Sequence, residues 1–270
     1  MTVNADNASA DLSTPIFSRA GFCATIRLNR ARYLNRIQPE DLTVLEEMMQ
    51  AVEVDETLRV LVFTGTGRAF SAGYHLGDMA ERERTAEAAA HPSEESHFER
   101  VANKLENLRV PTICALNGGF YGGATDLALA CDFRIGVEAT EMFMPAARLG
   151  YHFYKSGVVR YTTRLGVAAA KKLFLTGQKI DAPEMLRIGY LDEVVPEDQL
   201  ASRTDALAAT LAAMAPAAVE GMKRTINEIA RGELDAGAAI ARNQRSQLSE
   251  DLKEGLAAWK EKRTPVFTGR

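Results

Sequence analysis

Apolar and polar positions recur first with a period near two and later with a period near 3.6, and that switch lays out the chain. Residues 16–28 (IFSRAGFCATIRL) hold two short alternating runs around Ala20-Gly21, the pattern of a β-hairpin. Residues 39–54 carry acidic side chains early and Leu42, Leu45, Met48, Met49 and Val52 at helical spacing. The continuous apolar run 59–65 (RVLVFTG), closed by glycine, predicts a buried strand. Residues 78–100 are charged and alanine-rich with no clear core face, so a mobile helical flap is expected there. A helix over about 96–108 then precedes a second buried strand, 111–116 (PTICAL). A glycine-rich turn running into a helix follows at 117–130 (NGGFYGGATDLALA), with a third strand at 131–137. From Ser156 onward the signals are almost all helical, with Pro196 and Pro216 marking helix starts. The expected fold is a mixed α/β core followed by a helical C-terminal third. The amphipathic stretch 249–262 (SEDLKEGLAAWKEK) either packs on its own core or reaches a neighbouring subunit.

Composition narrows the class. A hydrophobic content of 46% with 25% charged residues over 270 positions is that of a globular enzyme. The net charge of -4 disfavours nucleic acid or an anionic membrane as main partner. There is no run of 18 apolar residues, and the opening stretch 1–13 is polar without a basic-then-apolar leader, so a frayed tail and a cytoplasmic location are expected. Cys23, Cys114 and Cys131 form no CxxC pair and predict reduced, buried thiols. His75, His91, His97 and His152 show no metal-ligating spacing, so no metal is expected.

Two glycine-containing turns, each after a buried strand, carry the candidate chemistry: residues 67–76 (GRAFSAGYHL) and 117–126 (NGGFYGGATD). Glycine lets backbone approach a ligand closely. The second turn also opens a helix, whose first amides lack internal partners and sit at the positive dipole end. Amides aimed from both turns at one oxygen would stabilise a developing enolate or tetrahedral oxyanion. On the glycines alone, the alternative that both turns need glycine only for close packing stays equally open.

The wider wording of these segments resembles the crotonase (enoyl-CoA hydratase/isomerase) superfamily. RVLVFTGTGRAFSAGYHLGDM is similar to that family's strand followed by G-x-G-x-x-F, Ser or Cys, and A-G-x-D-L. VPTICALNGGFYGGATDLALACDFRIG resembles its P-x-I-A pattern leading to N-G-x-x-x-G-G-G-x-E-L-A-L-A-C-D. IRLNRARYLNR, LFLTGQKIDAPEMLRIGYLDEVVP and EGLAAWKEKRTPVFTGR match further segments, in order, over about residues 16–270. The resemblance implies an α/β, crotonase-like spiral of ββα units with a helical C-terminal region. Its expected divisions are a flexible tail (1–13), a spiral core with the oxyanion hole (14–200) and a helical trimerisation region (201–270). It implies an acyl-CoA thioester substrate, no cofactor beyond the CoA moiety, and a homotrimer or dimer of trimers. The oxyanion hole would use the amides of Tyr74 and Gly123. The CoA nucleotide would lie against Arg30, Arg32 and Leu34, with Ala72 and His75 beside it. Trp259 and Lys262, from a neighbour's last helix, would reach the CoA side, or else form a solvated helix end.

The chain also departs from the family pattern. The first hydratase glutamate corresponds to Asp126, which keeps the carboxylate but is one methylene shorter; it either handles a proton or water, or caps the helix start. The second corresponds to Ala146, which can neither donate nor accept a proton, so two-glutamate hydration is in doubt. The family's small-residue loop becomes Tyr151-His152-Phe153-Tyr154-Lys155. Tyr154 or His152 is therefore a candidate proton-transfer group; the alternative is that the aromatics only fill volume. His75 replaces the usual aspartate and either bonds near the thioester or caps a short helix. Tyr74, Tyr121, Tyr154 and His152 would line a polar aromatic pocket if they converge. Double-bond isomerisation, decarboxylation, hydrolysis and a catalytically weak CoA-binding scaffold remain the alternatives to hydration.

Overall fold

The first alternating run folds as a hairpin in the computed structural model, which describes residues 14–74 and 95–270. Strands β1 (Ile16–Ala20) and β2 (Cys23–Leu28) pair antiparallel around Gly21-Phe22, one residue later than the sequence centre. Gly21 takes a left-handed φ of 57°, which explains where the chain turns. β3 (Val60–Gly65), β5 (Thr112–Leu116), β7 (Phe133–Val137) and β10 (Glu193–Val195) then add in parallel, giving a six-stranded sheet ordered β1-β2-β3-β5-β7-β10.

A second, smaller sheet was not legible as strands. It is built from β4 (Ala69–Ser71), β6 (Gly119–Tyr121), β8 (Glu141–Phe143) and β9 (Ile180–Asp181), in the order β4-β6-β8-β9. These strands have at most three residues, too few for alternation to show. β9 and β10 also interrupt the stretch after Ser156 that the sequence predicts to be almost wholly helical. The chain thus repeatedly gives a long strand to one sheet and a short strand to the other before entering a helix.

Helix α1 (Pro39–Val54) follows the predicted spacing: Leu42, Leu45, Met49 and Val52 form its buried face, each side chain contributing roughly 1.5–3 kcal/mol. Its start is fixed by Asp41, whose carboxylate accepts from the Gln38 amide at 2.9 Å. α2 (His97–Asn107), capped by the Ser96 hydroxyl at 3.1 Å, packs on α1 and on α3 (Gly123–Ala130). α4 (Lys155–Thr176) is broken at Gly166, whose φ of 78° and ψ of 160° are not helical. α5 (Ala182–Arg187), α6 (Leu200–Ala212), α7 (Pro216–Arg231), α8 (Ala236–Gln247) and α9 (Glu250–Glu261) complete the chain. Pro216 sits in the first turn of α7, as predicted, whereas Pro196 precedes a short 3-10 turn ahead of α6.

The six-stranded sheet is covered on both faces, as a mostly parallel sheet requires. Leu61, Phe63, Cys114 and Leu116 join the main core with α1, α2 and α3, while Val60, Val62, Ile113 and Ala115 pack with Leu200 and Ala208 of α6. Cys114 and Cys131 are buried free thiols and Cys23 is half-buried. The C-terminal tail folds back on its own chain: Arg59 donates to the Phe267 carbonyl at 2.6 Å, and Asp251 accepts from the Thr268 and Gly269 amides at 2.7 and 2.9 Å. The outer face of α9 is left bare, with Trp259 82% exposed. Among the described residues no helix is long and apolar enough to cross a membrane, and no cluster of three metal-ligating side chains occurs. The expected tail, most of the expected flap, and His75 lie outside the described residues.

Candidate active site

The two glycine turns meet because the short strands that lead into them are neighbours. β4 pairs in parallel with β6, Ala69 opposite Gly119 and Ser71 opposite Phe120, so both chains leave the second sheet at the same edge. The carboxyl edge of parallel strands is where open α/β sheets place their ligands. Just past β4, Gly73 adopts a φ of 88°, and a Cβ there would stand 2.3 Å from the Tyr121 carbonyl oxygen and 3.5 Å from the Gly123 nitrogen. Just past β6, Gly122 takes a φ of 54° and Gly123 opens α3. As the first residue of a helix, Gly123 has an amide with no intrahelical acceptor. A Cβ on Gly123 would stand 2.7 Å from Phe98 Cζ, so this glycine is also needed for packing. Close packing and a pair of converging turns therefore occur together.

Two asparagines hold the first turn. Asn35 donates to the carbonyls of Thr66 and Ala69 at 2.9 and 2.8 Å. Asn117 donates to the Gly67 carbonyl at 2.6 Å and accepts from the Gly65 amide at 3.2 Å. The only local signal at Asn35 is its left-handed φ of 53°, which asparagine tolerates better than most residues.

The loop matched to CoA binding lies directly against this turn. The Ala72 amide donates to the Leu34 carbonyl at 2.6 Å, and the Ile37 amide to the Gly73 carbonyl at 2.9 Å. Arg30 is turned inward and paired with Asp41 at 2.7 Å, whereas Arg32 is exposed, its guanidinium 5.8 Å from the Tyr33 ring centre. Trp259 and Lys262 are exposed at the end of α9.

Asp126 lies in the first turn of α3 and is fully buried. Its Oδ2 accepts from the Tyr154 hydroxyl at 2.6 Å and from Arg160 Nη1, while Oδ1 is buried without a hydrogen-bond partner among the described residues. Burial, followed by the nearby Asp126 charge, holds the Tyr154 phenol well above its ordinary pKa, so it stays protonated. Arg160 was not singled out from sequence. An arginine on a basic helix is ordinarily a solvated residue, and its partners sit on two other helices.

The expected aromatic pocket forms only in part. Tyr74 and Tyr154 approach one another through Phe98, at ring separations of 5.5 and 6.3 Å. Tyr121 instead donates to Glu141 at 2.8 Å, and burial together with that carboxylate pushes its phenol up to about 12. His152 is exposed, with Nδ1 2.8 Å from the Phe153 carbonyl oxygen. Phe153 is buried and stacks on Tyr154 at 4.1 Å, the volume-filling role weighed for the bulky loop. Ala146 is 4% exposed and follows Pro145, which lies 3.9 Å from where a Cβ on Gly122 would stand.

A separate cleft lies elsewhere. It holds about 810 Å³ between α7, α8 and the C-terminal tail and includes no residue of either turn. Several of its charges are already paired, among them Arg109 with Glu220 and Arg242 with Glu228.

A sequence model described as enoyl-CoA hydratase/isomerase matches residues 19–270. A Bacillus subtilis (strain 168) protein, named as an enoyl-CoA hydratase/isomerase, is 35% identical over 249 residues, covering 91% of this chain and 94% of the relative. The 1,2-epoxyphenylacetyl-CoA isomerase of Escherichia coli (strain K12) is 31% identical over 248 residues, covering 91% of this chain and 95% of that one. The crystal structure of an enoyl-CoA hydratase from Bacillus anthracis superimposes with a TM-score of 0.84 at 30% identity, over 96% of this chain and all of the other. This chain is a member of the crotonase, or enoyl-CoA hydratase/isomerase, family of acyl-CoA-processing enzymes.

Proposed function

We propose that the chain polarises the carbonyl of an acyl-CoA thioester between the Tyr74 and Gly123 amides, and that Asp126 moves a proton at the adjacent carbons. The observation that carries this reading is the parallel pairing of β4 with β6, which sets the Gly73 α-carbon beside the Gly123 amide. Asp126 then stands three residues into the helix that Gly123 opens. In this reading exposed Arg32, on the loop tied to the first turn, meets the CoA phosphates.

Within this chemistry, proton shuttling fits the side chains better than hydration. Adding water across a double bond needs one group to deprotonate the water and another to protonate carbon, and the second carboxylate position is Ala146. Tyr154 cannot serve as a base while its phenol stays protonated. A single carboxylate suffices for isomerisation. It takes a proton from carbon, and the electron pair moves onto the thioester oxygen as an enolate held by the two amides. The same carboxyl then returns the proton at the far end of the allylic system, and the carbonyl re-forms with the double bond shifted. The relatives include proteins named for hydration and for isomerisation at similar identity, so identity does not choose between them.

The expected result is conversion of a 3-enoyl-CoA to its conjugated isomer faster than hydration of crotonyl-CoA, both followed by thioester absorbance. Failure of every acyl-CoA tried to exchange α-hydrogen with deuterated water would overturn the enolate reading.

The bare apolar residues Met222 and Ile226 of α7, Ile240 of α8, and Leu256 and Trp259 of α9 are suited to a homotrimer contact. That contact would carry Trp259 and Lys262 toward a neighbour's CoA site. Sedimentation is expected to give a trimer or a multiple of it; a monomer at micromolar concentration would remove this placement.

A further inference from the structure

Behind the candidate site, α2, α3 and α4 meet over a buried chain of charges. Arg160 of α4 lies between two carboxylates. Its Nη1 bonds Asp126 Oδ2, its Nε donates to Glu106 Oε1 at 3.0 Å, and its Nη2 donates to Asn103 Oδ1 at 2.8 Å. The side chains of Arg160, Asp126 and Glu106 are 1%, 0% and 7% exposed, so none of these charges is solvated.

The two carboxylates are not equally provided for. Glu106 also accepts from Arg164 at 3.0 Å and from Arg231 of α7 at 3.4 Å, and Arg231 pairs in turn with Glu233 at 2.8 Å. Burial works to raise the Glu106 carboxyl, but Arg160 and Arg164 outweigh it and hold it below the usual range. Among the described residues, Arg160 is the only cation paired with Asp126. The other groups facing Asp126 are neutral. The phenol of Tyr154, just before α4, donates to Asp126 itself; that of Tyr161, on α4, donates to Thr125 Oγ1 at 2.5 Å; and that of Tyr190 donates to the Thr125 carbonyl. Without Arg160, Glu106 keeps two guanidinium partners and Asp126 keeps none. A buried carboxylate with no counter-charge takes up a proton.

We infer that Arg160 is a positioning residue for the reaction: by holding Oδ2 of Asp126 in an ion pair, it keeps the carboxylate ionised and leaves Oδ1 as the oxygen that accepts the substrate proton. Arg160 touches no substrate and acts through Asp126. The inference rests on the proton-transfer role proposed for Asp126, and its test separates the two.

The test uses the full-length protein labelled with ¹³C at the aspartate carboxyl carbons, with the Asp126 signal assigned by its loss in Asp126→Asn. Arg160→Met is expected to raise the pH at which that signal titrates. The acid limb of kcat/KM should move up by the same amount. Should Arg160→Met fail to fold, Arg160→Lys retains a charge able to reach only one carboxylate, and is expected to move both readouts the same way by less. An unchanged Asp126 titration in a folded variant overturns the inference. A shifted titration with an unchanged acid limb overturns the proton-transfer role itself and leaves Arg160 structural.

Discussion

Asp126→Asn is expected to lower kcat on the protein's best acyl-CoA by about 10²–10⁴-fold, the contribution typical of a positioned acid–base group. KM should change little. Asparagine matches the aspartate in volume, and its side-chain oxygen can still accept from the Tyr154 hydroxyl, which lies 2.6 Å from Asp126 Oδ2. What it loses is the capacity to take a proton. The variant also leaves Arg160 with less counter-charge. The Glu106 carboxylate remains on that guanidinium at 3.0 Å, so thermal unfolding should stay cooperative, and circular dichroism checks this. Equal turnover by variant and parent on every active thioester would place the base elsewhere, or reduce the chain to a CoA-binding scaffold.

Gly73→Ala is expected to cost about 10²–10³-fold in kcat, the loss seen when one oxyanion donor is removed. An alanine Cβ at this position would stand 2.3 Å from the Tyr121 carbonyl oxygen, a backbone atom held in β6, so the turn rather than its neighbour must move. Moving it swings the following amide, that of Tyr74, off its line. The left-handed φ of 88° adds a conformational penalty of about 1–2 kcal/mol. Gly67→Ala separates the two effects. Gly67 shares the unusual backbone, with φ of 78°, but its Cβ would meet only the Ala31 methyl at 3.3 Å. It is expected to lower the melting temperature while leaving kcat within a few-fold. Equal kcat losses in the two variants would tie the effect to stability and not to the aim of the Tyr74 amide.

The long elements were legible because their periodicity extends over enough residues to average out exceptions. The buried face of α1 and the wholly buried β3 and β5 are clear cases. The second sheet was not, since β4, β6 and β8 have three residues each and pairing, not pattern, makes them strands. The two glycine turns were found from residue type and motif resemblance, but their meeting depends on the parallel pairing of strands some fifty residues apart. Asp126 and Tyr154 were candidates from their positions in the motif. Arg160 and Glu106 were not, because their roles arise only where three helices converge and no local spacing encodes that. His152, a titratable residue in the same loop as Tyr154, has an exposed ring within hydrogen-bond distance of its own neighbour's carbonyl.

The most direct measurement is a crystal structure of the protein with a saturated acyl-CoA bound. The thioester oxygen is expected about 2.7–3.1 Å from both the Tyr74 and the Gly123 nitrogens, with the α-carbon facing Asp126. A thioester carbonyl bound away from those amides, for example in the cleft of about 810 Å³ between α7, α8 and the tail, would contradict the account.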